Sequence, residues 1–120
     1  MAQLKARFIL GEDGKPKYIS DGTLRHYVIE LFVEEVPEDA IGVTYQLDET
    51  YHDPLREAYD PSKGCPEEIT SYGDYDLAAT VRVKPRPMQL QSSLYDALKR
   101  TYGETSDPDI LRALNDIKEN

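Results

Sequence analysis

Few residues in this chain have the chemistry of a catalyst. There are two histidines, His26 and His52, and one cysteine, Cys65. The alternation around His26 predicts a strand, where a lone histidine is read as structural, not as an acid or base. His52 stands among Asp48, Glu49 and Asp53, the set a metal ion would recruit. That segment lacks the alternating oxygen ligands and central glycine of a calcium loop, so no metal ligand and no cofactor is assigned. Cys65, between Gly64 and Pro66, reads as an exposed thiol with only Lys63 near in sequence, which gives no activated thiolate. One cysteine also excludes an internal disulfide and a cysteine-rich zinc site. Gly11 and Gly14 belong to a turn with no helix behind it, so they do not make a phosphate loop. No nucleophile elbow occurs. The 23 acidic residues offer no particular acid–base pair. These residue types favour a binding module over an enzyme.

What the chain holds in quantity is tyrosine and negative charge. Nine tyrosines stand beside two phenylalanines and no tryptophan. Such rings offer flat apolar faces to a ligand, although most are expected in the core or on half-exposed strands. Lys and Arg total 14 against 23 acidic residues, a net charge of −9. That balance argues against nucleic acid, which needs clustered cations to neutralise phosphates. It serves solubility and suits a basic partner such as a lysine-bearing peptide. The 120 residues amount to one ordinary domain. No apolar run approaches the roughly 18 residues of a spanning helix, and the first residues lack the apolar stretch of a signal peptide. The expectation is a cytoplasmic protein that meets a protein or peptide partner and no membrane.

The elements that must position these residues read mainly as strands. Leu4, Ala6, Phe8 and Leu10 alternate with Lys5, Arg7 and Ile9, the period of a strand with one face on a core. Gly11–Pro16 is a turn, and Lys17–Ser20 a short extended piece. Tyr27, Ile29, Leu31 and Val33 form one face of a long strand. Ile41–Leu47 follows, with Val43, Tyr45 and Leu47 alternating. Asp48–Pro54 is a polar loop, Leu55–Tyr59 a short strand, Asp60–Pro66 a second loop, and Glu67–Ser71 is extended. Tyr72–Asp74 turns into a last strand, where Leu77, Ala79, Val81 and Val83 alternate until Pro85. About seven strands without an intervening helix predict an antiparallel β-sandwich, with a small barrel as the alternative. The expected inward residues are Phe8, Ile29, Leu31, Val43, Tyr45, Leu47, Leu77, Val81 and Val83.

From Leu90 the period turns helical. Ser93 and Asp96 make a loose capping box, Leu94, Ala97, Leu98 and Thr101 a stripe, and Gly103 a stop. Ser106–Asp109 starts a second helix with a capping side chain and an early proline. Ile110, Leu111, Leu114 and Ile117 are its stripe. The expected division is therefore a sandwich over 1–87 and a helical hairpin over 88–120. Two short helices alone are marginal, so the stripes need cover. The sandwich, a second copy in a homodimer, or another protein could supply it.

Two segments together resemble a known family. Val43-Thr44-Tyr45-Gln46-Leu47-Asp48-Glu49-Thr50-Tyr51, followed by Asp53-Pro54, ends one strand. Ser71-Tyr72-Gly73-Asp74-Tyr75 opens another about twenty residues on. This pattern is similar to the YEATS domain, and more closely to its prokaryotic branch, from about Ile41 to Val83. The resemblance implies an immunoglobulin-like antiparallel β-sandwich. It also implies an aromatic cleft between the two loops that holds an acylated lysine. Thr50 then takes the hydroxyl position and Tyr51 the aromatic of the first loop. Tyr72 is the aromatic of the second, with Gly73 or Asp74 offering nearby backbone donors. Asp48 replaces the family's loop histidine, and a carboxylate there favours an ammonium or guanidinium. Ser71 replaces a glycine, which is expected to restrict the turn. The candidate ligand-binding residues are Asp48, Thr50, Tyr51, Tyr72, Gly73 and Asp74. The expected function is non-enzymatic recognition of an acylated or basic peptide, or of another small flat ligand. The alternative is a scaffold protein working through the helical hairpin.

Overall fold

The alternation around Leu31 produces the longest strand. The computed structural model describes residues 1–120. In it β3 (Arg25–Glu34) buries Tyr27, Ile29, Leu31 and Val33. Along one edge of β3 lie β1 (Gln3–Phe8) and β2 (Tyr18–Ser20), end to end, and along the other lies β6 (Glu67–Ser71). The register sets Phe8 opposite Ile29 and Ile69 on the other side of it. A one-residue slip would turn all of these side chains to solvent, so the apolar face fixes the pairing. Leu10 is exposed and lies beyond β1, bridged to Pro16 across the turn.

The second sheet has the order β5 (Leu55–Ala58), β4 (Gly42–Gln46), β7 (Asp76–Arg82), β8 (Met88–Ser93), antiparallel throughout. Val43, Tyr45, Leu77, Ala79 and Val81 point from it into a core shared with the first sheet. The architecture is an immunoglobulin-like antiparallel sandwich. Eight of the nine expected inward residues are buried, and Val83 is half-buried against the same core.

Two expectations are corrected. The helical period read from Leu90 begins at Leu94, because Met88–Ser93 is strand β8, paired along its length with β7. Its side chains alternate between half-buried and exposed, the mark of an edge strand. The exposed thiol is also overturned. Cys65 is fully buried, in a core cluster under Tyr45, whose hydroxyl donates to the Cys65 carbonyl at 2.7 Å. Burial and the nearby Asp60 push its thiol pKa up, away from a reactive thiolate.

Helix α1 (Leu94–Tyr102) begins at Ser93, whose hydroxyl accepts the Asp96 N–H at 3.0 Å, as the capping box predicts. Helix α2 (Pro108–Glu119) begins at Asp107, whose carboxylate accepts the N–H groups of Asp109 and Ile110. Leu94, Ala97 and Leu98 of α1 join Ile110, Ala113, Leu114 and Ile117 of α2 in the cluster that the sheets form. The chain's own sandwich thus covers the stripes, and Leu111, 44% exposed, stays outside.

Helix α1 lies along the free edge of β1. The Phe8 N–H donates to the Tyr102 hydroxyl at 2.7 Å, Thr101 donates to the Ala6 carbonyl at 2.6 Å, and Arg100 donates to the Leu4 carbonyl at 3.2 Å. These are the backbone groups an edge strand would otherwise leave open. Arg100 also donates to Ser92 of β8 at 2.8 Å, so one guanidinium links the two sheets. The expected break after Pro87 falls in the β7–β8 connection, within the second sheet.

Candidate functional site

The six candidate residues lie in the loops after β4 and β6, and the fold brings those loops together. Asp48, Thr50, Tyr51, Tyr72, Gly73 and Asp74 line one hollow of about 320 Å³ at an end of the sandwich. His26, Ser71, Tyr75 and Asn120 share its wall. His26 comes from β3, Tyr75 from the loop residue just before β7, and Asn120 from the cap that follows α2.

The first loop is an Asx turn. Asp48 Oδ1 accepts both the Thr50 N–H at 3.0 Å and the Thr50 hydroxyl at 2.7 Å. These two bonds, the backbone one first, hold the Asp48 carboxyl below its ordinary pKa. The hydroxyl expected to meet a ligand carbonyl therefore donates its hydrogen bond to Asp48. Tyr51 crosses the hollow and donates to the Thr70 carbonyl at 2.6 Å, on the outer edge of β6. Its ring tilts against Tyr75 at a centroid distance of 5.5 Å. The Tyr75 hydroxyl is sealed from solvent without a hydrogen-bond partner, and burial drives its pKa far upward.

The second loop is built by the residue expected to restrict it. Ser71 is buried, accepts the Gly73 N–H at 3.2 Å and donates to the Gly73 carbonyl at 2.6 Å. Its hydroxyl forms the turn, so a side chain there is an asset. Tyr72 stands 47% exposed, with His26 edge-on to its ring at 5.3 Å. His26 is steadied by Asp21 at 2.9 Å. Asp21 also accepts the N–H groups of Leu24 and Thr23, and these bonds with His26 pull its pKa well down. Gly73 is closed in. A Cβ there would stand 2.6 Å from the backbone carbon of Asn120, so only glycine lets the end of α2 sit so close.

The metal set does not assemble. His52 is exposed, 3.6 Å from Asp53, and no three His, Cys, Asp or Glu side chains converge. No helix is long and apolar enough to cross a membrane.

The sequence matches no protein-family model and no curated protein. Solved structures do match. The yeast AF-9 homolog protein Yaf9 superposes with a TM-score of 0.53 at 18% identity, over 78% of this chain and 67% of that one. The Yaf9 YEATS domain recognizing an H3K122suc peptide gives 0.54 at 16%, over 78% and 71%. The Yaf9 YEATS domain bound to H3K27ac gives 0.52 at 17%, over 78% and 72%. The fold is that of a YEATS domain.

Within this YEATS fold, sequence reasoning missed the residue that fixes the first loop. Arg56 on β5 donates to the carbonyls of Asp53 at 2.6 Å and His52 at 3.0 Å, and pairs with Glu67 of β6 at 3.1 Å. One side chain thus ties the loop to the edges of both sheets. The signal was an arginine two residues after the Asp48–Pro54 loop, too common a feature to single out. The part the helices play at the cleft was also missed, because it depends on long-range packing.

Proposed function

We propose that this chain is a non-enzymatic reader of peptides. It takes a lysine side chain, acylated or basic, between the loops Asp48–Tyr51 and Tyr72–Asp74. The observation that carries the reading is the shared hollow, walled by the rings of Tyr51, Tyr72 and Tyr75. Aromatic faces grip flat or cationic groups without demanding one sequence around them. The YEATS fold supports it, since solved domains of that fold are described with H3K122suc and H3K27ac. The two loop sequences support the prokaryotic branch.

The test is binding of labelled peptides carrying acyl-lysine, free lysine or arginine, with Tyr72→Ala as the control. Loss of one ring should weaken binding by about 0.5–1.5 kcal/mol beyond the lost area. A folded protein that binds none of these peptides would overturn the reading.

A further inference from the structure

The cleft's own hydrogen bonds bear on which side chain it takes. This step rests on the peptide-reader proposal above. The hydroxyls of Thr50, Tyr51 and Ser71 all donate inside the protein, to Asp48, Thr70 and Gly73 respectively. The Gly73 N–H is likewise spent on Ser71. The Tyr75 hydroxyl is sealed from solvent and so out of a ligand's reach. His26 is engaged with Asp21 through Nε2.

Two donors stay open, the half-exposed Tyr72 hydroxyl and the Asp74 N–H, and the rest is carboxylate and ring. Asp48 uses one carboxylate oxygen for Thr50, and its other oxygen has no hydrogen bond or ion pair. Asp74 uses one oxygen for the N–H groups of Tyr75 and Tyr95, and its other oxygen is likewise free. No lysine or arginine lines the hollow. The faces of Tyr51, Tyr72 and Tyr75 complete the wall.

We infer that the cleft selects the cationic side chain of lysine, unmodified or methylated, over its acylated form. An ammonium brings three donors to two free carboxylate oxygens that no lysine or arginine of the wall neutralises, and a methylated one brings positive charge to π faces. An acyl amide sets its carbonyl among carboxylates, with the hydroxyls of Thr50, Tyr51 and Ser71 already committed and only that of Tyr72 left to donate. A succinyl group adds an anion to two others, a repulsion that discriminates strongly.

One peptide sequence, synthesised with unmodified, trimethylated, acetylated and succinylated lysine, tests this by fluorescence anisotropy. The cationic forms should bind at least about tenfold more tightly than the acetylated one, and the succinylated form weakest of all. The cationic advantage should shrink as salt is raised. Asp48→Asn keeps an acceptor for Thr50 and removes the charge, so it should narrow the ratio by about tenfold. Tighter binding of the acetylated peptide to the native chain would overturn the inference and leave the reader proposal standing. An unchanged ratio in Asp48→Asn would also overturn it. Binding of none of the four peptides would sink both.

Discussion

The Asp74 carboxylate accepts the backbone N–H of Tyr95 at 2.8 Å, across 21 residues of chain. The second cleft loop is therefore an external cap on α1. The Leu94 N–H reaches the Tyr75 carbonyl at 2.9 Å and the Asp96 N–H reaches Ser93. Three of the unpaired N–H groups at the helix start are satisfied this way, two of them by the loop. Cleft and helix share one set of bonds, and their stabilities should move together.

Asp74→Ala removes the acceptor for both Tyr75 and Tyr95. The expected loss is about 0.5–2 kcal/mol of stability, the range for a deleted cap. Chemical denaturation measures it, and amide exchange at Tyr95 should quicken in parallel. Unchanged protection at Tyr95 would count against the cap.

Arg56→Met keeps the bulk and drops the bonds to His52, Asp53 and Glu67. The site is partly open to water, so about 1–2 kcal/mol is expected and not the full value of buried charged bonds. The clearer readout is local. The Thr50 and Tyr51 amides should exchange faster while those of β3 do not.

Gly73→Ala sets a methyl against Asn120. The end of α2 must move, at a cost of about 1–3 kcal/mol for an overpacked contact. NMR shift changes should appear along α2 near Asp116, which accepts the Tyr27 hydroxyl. Changes limited to the loop itself would contradict the contact.

We propose that residues 1–120 fold as one unit. Truncation after Pro87 removes β8 and both helices and opens the β1 edge. The remainder should fail to give a cooperative thermal transition. Leu98→Ala is the milder probe. Leu98 is fully buried, and about 2–5 kcal/mol should be lost. A well-folded 1–87 fragment would restore the separable hairpin.

Alkaline pH should loosen the same end of the molecule. Burial, and then the bond to Asp116, push the Tyr27 hydroxyl up to about 12 from the ordinary value of 10.0. The folded state holds this proton more tightly than the unfolded chain, so the stabilisation is complete below about pH 10 and fades as pH rises towards 12. At the acid end Asp21 and Asp48 are depressed, so their contribution is present above the ordinary carboxylate range and fades below it. Tyrosinate absorbance and carboxyl NMR titrations check the two limits. A midpoint for Tyr27 at 10 would refute the first.

The sandwich and the cleft loops were legible because alternation ends sharply at both. Leu47 closes one apolar run, Leu77 lies early in another, and the polar residues between must turn at the sandwich end. Strand β8 was hidden because only Met88 and Leu90 alternate on its apolar face before Ser92 and Ser93, and Leu90 looks like the start of the stripe at Leu94. The grip of Arg100, Thr101 and Tyr102 on β1 was unreadable for another reason. It joins residues more than 90 positions apart, and polar side chains on a helix flank look the same whether they face water or a strand edge. Thr50 and Asp48 were named as separate contributors, whereas the geometry makes them one hydrogen-bonded pair.

The burial of Cys65 gives this molecule a built-in clock. It is the chain's only thiol and is fully enclosed, with its carbonyl held by Tyr45. A thiol reagent can reach it only when the region around it opens. The rate of labelling therefore counts openings, and its dependence on reagent concentration separates their frequency from their duration. A peptide that closes on the cleft should slow that clock only if the opening that exposes Cys65 also disrupts the cleft.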